Sequence, residues 1–519
     1  MSGANENQMS RIESLRSWDS EWSGLRVVVA GITKTGFSIA DTMAELGARV
    51  VVVATSDNAE ARQAAQTLEI VGVEEVVLGP GADQALPLVG GELPDLVFGS
   101  PGMPPTHPLL EAAAAHGIPV WGDMELAWRL RARPGSKAGE WLAVTGTNGK
   151  TTTVGLTESI LVAAGLRAVA AGNVGTPILD VIRDPQGWDV IVVELSSFQL
   201  HWAQSLSPAA SVCLNVAEDH VDWHGSYDAY VADKARVYSN TRLACIFNAE
   251  QEETIRMVEE ADVVQGCRAI GFTTGLPAIS MLGVVEDLLV DRAYITERKD
   301  SATELASLAD VGEPAPRHLV ANALAAAALA RALGVEPAAI RDGIRNYQPG
   351  DHRIQLVARK NGVAWINDSK ATNPHAAAAS LKSFESVVWI AGGLSKGVSY
   401  DELVADSAAR LKAVVLIGVD TAPLETALQR HAPDVSVIHL RTGDTEMVQG
   451  EDLPDSIGTR IMEQAVAAAA RVAVSGDTVL MAPAAASMDQ FTSYAHRGSA
   501  FVDAVRLRVE DQAPTTKES

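Results

Sequence analysis

The segment TGTNGKTTT carries the clearest chemical signal in this chain of 519 residues. A strand is predicted directly before it at 141–144, and a helical pattern follows at 152–164. Such a loop presents successive backbone N–H groups to a polyphosphate at the positive end of the helix. Lys150 would reach the terminal phosphates, and the Thr151 hydroxyl would coordinate magnesium. The segment predicts an ATP site in a shortened form, because Val144 stands where the longer motif has its first glycine.

Ligands for that magnesium ion are predicted at the ends of other strands. The strand predicted at 189–193 is followed directly by Glu194, a carboxylate of the kind that hard cations prefer. The strand predicted at 210–214 leads toward His220. Taken alone, Glu194 is equally compatible with capping a helix that starts at Ser196, and His220 with a structural histidine. Their spacing from the phosphate-binding loop favours the metal site for both.

Three blocks of alternating strands and helices must position these residues. Short β-branched runs alternate with alanine-rich helical patterns, which is typical of parallel sheets joined by crossover helices. Strands are predicted at 25–30, 49–53, 75–78 and 95–98, at 141–144, 168–170, 189–193 and 210–214, and at 363–366, 386–390, 413–417 and 478–481. We expect an α/β fold of three domains, at 1–122, 123–349 and 350–519. The first is nucleotide-binding-like, the second a P-loop ATPase domain, and the third Rossmann-like.

The first block lacks the fingerprint of a dinucleotide-binding domain. Gly31 and Gly36 are spaced as G-x-x-x-x-G, and Thr33 stands where the close-approach glycine belongs. The second strand ends at Ala54 instead of a ribose-binding acid, and Asp57 follows three residues later. A dehydrogenase is therefore disfavoured, whereas another nucleotide or phosphate ligand fits.

Composition excludes several classes of protein. Apolar residues make up 47% of the chain, enough for several cores. A net charge of −24 argues against nucleic-acid and membrane binding. Three cysteines without a CxxC pair indicate neither a zinc site nor a disulfide framework. The N-terminus is polar, and no apolar stretch reaches the roughly 20 residues of a membrane span. We expect a cytoplasmic monomer.

Seven motifs along the chain together resemble the Mur ligase family of ATP-dependent amide-forming enzymes. They are TGTNGKTTT, AGNVGTP, ELSSFQL, NVAEDHVDWHGS, DHR, NDSKATNP and APAAASMDQF, in this order. The resemblance extends from about residue 25 to about residue 509. The glycine loop alone fixes only the superfamily, which includes folylpolyglutamate synthase, whereas ELSSFQL and SMDQF narrow it.

The resemblance implies a UDP-binding first domain, a central ATPase domain and a C-terminal domain that closes over the site. It also implies that ATP, with magnesium, phosphorylates a substrate carboxylate, and that an amine attacks the resulting acyl phosphate. A free carboxylate is inert to amines and needs such a leaving group. SMDQF, with the SPG at 100–102, points to members that join D-glutamate to UDP-N-acetylmuramoyl-L-alanine.

Individual residues are carried over from the family's motifs. The resemblance implies ATP contacts at Gly146, Asn148, Gly149, Lys150, Thr151, Thr152, Asn322, Arg353 and Asp368. It implies UDP-substrate contacts at Thr35, Ser100, Gly102 and Asn173, and D-glutamate contacts at Thr372, Lys396, Ser487, Met488 and Tyr494. Metal ligands are implied at Thr151, Glu194, His220 and Lys234, and catalytic roles at Lys150, His220, Lys234 and His352.

The resemblance makes Lys234 a carbamate. Carbon dioxide adds only to a neutral amine, so this lysine must be desolvated or lie near other cations. The alternative is that Lys234 is an ordinary exposed lysine on a helix. For Tyr494 the alternative is likewise a structural role, as an aromatic residue of the core.

Two residues depart from the family pattern. Ala54 replaces an acid that contacts uracil, leaving Thr55 or Asp57 for that contact, and Leu394 replaces an acid near the amino-acid pocket.

Other functions fit part of the sequence. A small-molecule P-loop kinase explains the glycine loop but gives the third block no role. Another Mur-type or a folylpolyglutamate-type ligase would share the ATP site and take a different amino acid. A nucleotide-dependent oxidoreductase would need the fingerprint that the first block lacks. A non-catalytic ATP-binding switch would need no second substrate.

Overall fold

Two compact units, residues 1–347 and residues 348–519, make up the chain. This computed structural model describes residues 10–133, 135, 137–173, 175–312, 315–348, 350, 352–395, 397–440 and 454–510. No helix within those ranges is both long enough and apolar enough to cross a membrane. Three sheets with flanking helices make the fold α/β, as the sequence predicted.

The first sheet of unit 1 has five parallel strands in the order β3-β2-β1-β4-β5. They are β1 Arg26–Ala30, β2 Arg49–Ala54, β3 Glu75–Leu78, β4 Leu96–Phe98 and β5 Val120–Trp121. The central strands β1 and β2 are runs of buried valine, as expected for a parallel sheet covered by helices on both faces. The carboxyl ends of all five strands therefore lie at one edge.

The second sheet of unit 1 has nine strands in the order β14-β13-β12-β11-β10-β9-β6-β8-β7. They are β6 Glu140–Thr145, β7 Ala168–Gly172, β8 Val190–Glu194, β9 Ala210–Cys213, β10 Ala244–Asn248, β11 Arg268–Phe272, β12 Met281–Val285, β13 Leu288–Asp291 and β14 Thr303–Ser307. The strands from β7 to β12 run parallel, and β13 and β14 add antiparallel hairpins at one side. Strand β6, which precedes the glycine loop, lies between β8 and β9.

Helices cover both sheets of unit 1. They are Lys34–Glu45, Ala59–Ile70, Pro108–Ala115, Asp123–Leu130, Lys150–Ala163, Ile178–Ile182, Ser197–His201, Val221–His224, Tyr227–Ala235, Glu252–Glu259, Leu308–Val311, Arg317–Ala332 and Pro337–Asn346, with a 3₁₀ turn at Arg236–Tyr238. The alanine-rich helix Arg317–Ala332 is buried over most of its length, because small side chains let it pack closely on its neighbours.

One hydrophobic core continues from the first sheet into the second. Helix Asp123–Leu130, just after the predicted boundary at residue 122, is buried along its whole length. Its Glu125 accepts hydrogen bonds from the backbone N–H groups of Gln204 and Ser205, at 2.7 and 2.8 Å. The predicted division of this unit into two domains therefore stays a prediction.

Unit 2 contains a six-stranded sheet in the order β15-β16-β20-β17-β18-β19. Its strands are β15 Gln355–Lys360, β16 Val363–Asn367, β17 Val387–Ala391, β18 Leu411–Leu416, β19 Ser436–His439 and β20 Thr478–Met481. All pairs are parallel except β15 with β16. Its helices are Pro374–Leu381, Asp401–Ser407, Ala422–His431, Pro454–Val472 and Tyr494–Val505, with a 3₁₀ turn at Ala408–Arg410 and a π turn at Arg506–Glu510.

The twelve strands predicted from the sequence are confirmed, with ends that differ by no more than about two residues. The strands that the sequence pattern missed are β5, β10 to β15 and β19. Several of these are short or lie at the side of a sheet, where a long buried run of β-branched residues is not required. One of them, β14, lies within the polar stretch 292–317.

Arg497 is a fully buried side chain that connects three segments of unit 2. Its Nε and Nη2 donate to the Oγ and the carbonyl oxygen of Ser369, both at 3.0 Å, and its Nη1 donates to the carbonyl oxygen of Ala485 at 3.1 Å. The Ser369 hydroxyl in turn donates to the carbonyl oxygen of Tyr494 at 2.7 Å. Burial lowers the pKa of Arg497 to about 9, so the side chain stays charged at neutral pH.

We expect Arg497→Met to destabilise unit 2 by about 2–4 kcal/mol, because two buried carbonyl oxygens would lose their donors. Urea unfolding followed by tryptophan fluorescence measures the change. The matched control is Arg506→Met, which removes an exposed arginine just beyond the same helix. Equal unfolding midpoints for the two variants would contradict the structural role of Arg497.

Candidate active site

The glycine loop follows β6 and turns directly into helix Lys150–Ala163. Gly149 precedes the helix with φ of 85°, in the left-handed region that favours glycine. A Cβ atom at Gly149 would lie 2.5 Å from Oδ1 of Asn322, so a larger residue would displace that buried amide. Thr151 and Thr152 lie half-buried in the first turn of the helix. Asn322 therefore packs on the loop itself.

Hydrogen bonds fix the loop to the segment that follows β9. The backbone N–H of Asn148 donates to Oδ1 of Asn215 at 2.9 Å, and Nδ2 of Asn215 donates back to the carbonyl oxygen of Asn148 at 3.0 Å. The N–H of Thr147 donates to the carbonyl oxygen of Asn215 at 2.9 Å. The Thr147 hydroxyl shares a 2.8 Å hydrogen bond with the hydroxyl of Tyr230. The loop is thus held by hydrogen bonds to two other segments of the chain.

Two lysines donate to the same carbonyl oxygen of this loop. Nζ of Lys150 lies 2.8 Å from the oxygen of Gly146 and 2.9 Å from that of Thr147. Nζ of Lys234 lies 3.0 Å from the oxygen of Gly146. The two predicted catalytic lysines, 84 positions apart in the sequence, therefore meet at one atom.

Lys234 is buried, with 2% of its surface exposed, so it is not an ordinary surface lysine. Its Nζ lies 4.6 Å from the ring centroid of Tyr230, one turn earlier in the same helix. Burial, with a smaller effect from the nearby Lys150 charge, lowers the pKa of Lys234 to about 7. A large fraction of this amine is therefore neutral near physiological pH, as addition of carbon dioxide requires.

Glu194 ends β8 with 2% of its surface exposed. Its Oε1 accepts a hydrogen bond from Nδ2 of Asn173 at 3.1 Å. Its Oε2 is buried and has no hydrogen-bond partner among the described residues. The following helix is capped by Ser196 with Gln199, so the alternative role of Glu194 as a helix cap is wrong. A buried carboxylate oxygen without a partner is the arrangement expected of a cation ligand.

His220 precedes the short helix Val221–His224 and adopts a left-handed backbone, with φ of 52°. Its backbone N–H donates to Oδ1 of Asp219 at 2.9 Å. Its ring packs edge-on against Phe198, with centroids 4.8 Å apart. Strained backbone of this kind in a non-glycine residue concentrates at functional sites.

The residues predicted to hold the UDP-substrate fall in two places. Thr35 lies in the first turn of the helix that follows β1, and Ser100 and Gly102 follow β4. Because β1 and β4 are parallel neighbours, these three residues lie at one edge of the first sheet. Asn173 instead follows β7 of the second sheet, where it donates to Glu194.

A close approach of backbone shapes that edge of the first sheet. A Cβ atom at Gly36 would lie 2.1 Å from the carbonyl oxygen of Gly31, so only glycine lets the helix start approach the end of β1. The nearby Asp57, one of the two residues left for uracil, pairs with Arg62 at 2.7 Å.

Three predicted residues of unit 2 lie around the end of β16. Asp368 is buried directly after β16, and burial raises the pKa of its carboxyl group to about 6. His352 has a φ of 66°, and its Nδ1 accepts a hydrogen bond from Nδ2 of Asn367 at 2.9 Å. Arg353 is the next residue and is half-buried.

The residues predicted to bind D-glutamate follow strands of the same sheet in unit 2. Thr372 is half-buried after β16, and Ser487 is buried after β20, whereas Met488 beside it is 70% exposed. Tyr494 starts the last α-helix and is half-buried, with Nζ of Lys370 3.9 Å from its ring centroid. It is therefore not a core aromatic. Lys396 lies outside the described residues.

Sequence reasoning missed residues whose partners are distant along the chain. Asn215 and Tyr230 bind the glycine loop, and Asp233 lies between His201 and His224. Asn215 and Tyr230 stand inside or beside quoted motifs, but only the folded chain shows what they contact. No group of three or more His, Cys, Asp or Glu that could hold a metal by itself occurs among the described residues.

Comparison with known proteins gives matches along most of the chain. The Mur ligase middle domain matches residues 144–330, and the Mur ligase glutamate ligase domain matches residues 352–485. The UDP-N-acetylmuramoylalanine–D-glutamate ligase of Streptomyces coelicolor is 53% identical over 487 residues, or 94% of this chain and 99% of that protein. The protein of the same name from Leifsonia xyli is 51% identical over 95% of both chains.

Solved structures show the same fold at low sequence identity. MurF from Acinetobacter baumannii superimposes with a TM-score of 0.53 at 16% identity, covering 92% of this chain and 90% of that one. The UDP-N-acetylmuramate-alanine ligase MurC from Thermotoga maritima gives a TM-score of 0.51 at 16% identity, covering 93% of this chain and 99% of that one. With about half of its residues identical to those of the curated relatives over nearly its whole length, this chain belongs to the Mur ligase family.

Proposed function

We propose that this protein joins D-glutamate to UDP-N-acetylmuramoyl-L-alanine in an ATP-dependent amide ligation. The observation that carries the proposal is that Lys150 and Lys234 both donate to the glycine loop. This loop follows β6, the neighbour of strand β8, which ends at Glu194. The names of the curated relatives support the choice of substrates. Because the reaction consumes ATP and a UDP-linked precursor, we place it in the cytoplasm.

In this proposal the loop and Lys150 hold the phosphates of ATP. The start of helix Lys150–Ala163 presents backbone N–H groups and the positive end of its dipole to the anion. Lys150 exchanges the carbonyl oxygens of its own loop for phosphate oxygens. The γ-phosphoryl group then moves to the substrate carboxylate, and the acyl phosphate provides the leaving group that a free carboxylate lacks. The protein acts by positioning and charge stabilisation, without a covalent enzyme intermediate.

Magnesium fits the residues at the end of β8. The unpartnered Oε2 of Glu194 is a ready oxygen ligand, and Thr151, His220 and Lys234 are the other proposed ligands. Magnesium in such sites takes one or two carboxylates and completes its shell with phosphate oxygens and water. When bound, the ion neutralises charge that develops on the transferred phosphoryl group.

Lys234 serves as a carbamate in this proposal. Its neutral amine adds carbon dioxide, one proton leaves, and the product is an anionic oxygen ligand, which an ammonium group can never be. The amine is buried and lies beside the loop, so the new carboxylate would form next to the phosphate site.

Unit 2 supplies the site for the incoming amino acid in this proposal. Thr372 and Ser487 offer hydroxyl donors for the two carboxylates of D-glutamate, and Lys396 adds a cation by its position in the sequence. Met488 and Tyr494 form the wall of the pocket. Fixing both carboxylates orients the amine for attack. His352 is assigned to the reacting centre, and Arg353, Asn322 and Asp368 to the nucleotide. Thr35, Ser100, Gly102 and Asn173 hold the UDP-substrate.

Phosphate release measures the proposed reaction directly. We expect release from ATP only when UDP-N-acetylmuramoyl-L-alanine and D-glutamate are both present, because the acyl phosphate breaks down productively only by transfer to the amine. An amino-acid screen with L-glutamate and D-aspartate as controls tests the substrate. Release without either acceptor would instead favour a kinase or an ATP-binding switch.

Opposite charges at the site predict opposite responses to an added carboxylate. Lys150→Ala and Lys234→Ala should each lower kcat by about 10²–10³-fold or more, because each removes a preorganised charge. Formate or acetate should restore part of the activity of Lys234→Ala, since a small carboxylate replaces the carbamate. It should not restore Lys150→Ala, which lacks a cation.

Lys137→Ala, which removes a lysine from an exposed ion pair with Asp189, is the control and should keep wild-type kcat. Full activity of Lys234→Ala without any additive would remove that lysine from the site.

The glutamate pocket predicts selective changes in KM. Ser487→Ala and Lys396→Ala should raise the KM for D-glutamate far more than that for ATP, because the glycine loop, not unit 2, holds the phosphates. The effect of Ser487→Ala should be the smaller, since it removes a neutral hydrogen bond rather than a charge-assisted one. Steady-state kinetics with each substrate varied checks this. If both variants changed only the KM for ATP, unit 2 would not bind the amino acid.

A further inference from the structure

Asp233 is a buried carboxylate that binds two histidines from different segments. Nδ1 of His201 donates to it at 2.9 Å, and Nδ1 of His224 donates to its Oδ2 at 2.9 Å. Arg236 adds a more distant cation, with Nη1 3.9 Å from Oδ1. None of these residues is assigned a part in the proposed reaction, although Asp233 directly precedes Lys234 in the sequence.

The hydrogen-bond chain continues from His224 to a serine. Nε2 of His224 lies 3.0 Å from Oγ of Ser197, and the His224 side chain is fully buried. Because the carboxylate accepts from Nδ1, the neutral ring carries its proton there and Nε2 accepts from the Ser197 hydroxyl. Burial lowers the pKa of His224, which keeps this ring neutral. Protons are therefore donated in one direction along these hydrogen bonds, from Ser197 to His224 and from His224 to Asp233.

These hydrogen bonds join the three segments that bear the proposed metal ligands Glu194, His220 and Lys234. Ser197 opens the helix that follows Glu194, and His224 ends the short helix that follows His220. Asp233 lies on helix Tyr227–Ala235, which carries Lys234. The Asp233 carboxylate therefore connects all three segments, directly through His201 and His224 and indirectly through Ser197.

Helix Tyr227–Ala235 is held from two sides. On one side Tyr230 and Lys234 contact the glycine loop, through Thr147 and Gly146. On another side Asp233 contacts the two histidines. If the second set of contacts were lost, the helix could rotate or shift, and the Lys234 amine would leave its place at the loop.

We propose that Asp233, acting through His201 and His224, is the positioning residue that holds Lys234 at the glycine loop for carbamate formation. This inference rests on the carbamate in the proposed function. Partners of metal ligands commonly change metal affinity or activity 10–100-fold when they are replaced. A carboxylate is needed because both histidines donate to it, whereas an amide at this position would meet one of them with its own N–H.

The test measures the carbamate itself in the full-length protein. With ¹³C-labelled bicarbonate, NMR should show a carbamate signal in the wild type that Lys234→Ala lacks. Asp233→Asn should reduce this signal several-fold and lower kcat about 10-fold or more. Asp233→Glu, which retains the carboxylate, should recover part of both.

The matched control is Ser226→Ala, which removes the N-cap hydrogen bond of the same helix, 3.1 Å from Oγ to the N–H of Ala229. It destabilises the helix without touching the two histidines, so it should keep the carbamate signal. Equal losses of the carbamate signal in Ser226→Ala and Asp233→Asn would show that Asp233 acts only through the stability of the helix, and would overturn the proposal. A full signal in Asp233→Asn would overturn it while leaving the carbamate intact. A wild type without a Lys234-dependent signal would refute the carbamate and this inference together.

Discussion

The reciprocal hydrogen bonds between Asn148 and Asn215 are the constraint on which the site in unit 1 depends. A glycine-rich loop has many accessible conformations, and ordering it costs more entropy than ordering other residues. Two bonds of 2.9 and 3.0 Å to one side chain remove that freedom, and the Thr147 bond to Tyr230 extends the restraint to the helix of Lys234. Contacts within the protein thus restrict the conformation of the loop, which lowers the entropy that a ligand bound there would have to offset.

Burial then changes the chemistry of the groups placed around that loop. In water an amine with the ordinary pKa of lysine is almost wholly protonated at neutral pH and cannot add carbon dioxide. At Lys234 desolvation and the neighbouring Lys150 disfavour the charged form. At Glu194 the same burial leaves one oxygen without a donor, which costs free energy unless a cation binds. Both groups are poised by their surroundings for a role that the residue type alone does not give.

The sequence identifies the parts of this site that local pattern encodes, and it fails where partners are distant. Strand ends and the glycine loop follow from runs of β-branched residues and from turn chemistry, so Lys150 could be placed in the loop and Glu194 at a strand end beforehand. The contact between Asn173 and Glu194 could not be predicted, because β7 and β8 become neighbours only in the folded sheet. The Asp233 contacts span 32 residues to His201, and no periodicity signals them. The strands β13 and β14 were missed because they have only four and five residues, and their pairing shifts register between Leu289 and Val290, so neither shows a long regular alternation.

Unit 2 solves a similar positioning problem with a cation in place of an anion. Asp233 accepts hydrogen bonds from the N–H groups of two histidines, whereas Arg497 donates to oxygen atoms of Ser369 and Ala485. These two residues lie close in the sequence to Thr372 and Ser487, and Ser369 also binds the carbonyl oxygen of Tyr494. In each case one charged group binds several neutral partners that are far apart in the sequence. A hydrogen bond to a charge is stronger than one between neutral groups, and a buried charge left without its partners is costly. Any shift of one segment therefore exposes the charge to that cost, and this penalty keeps loops that would otherwise move independently in one arrangement.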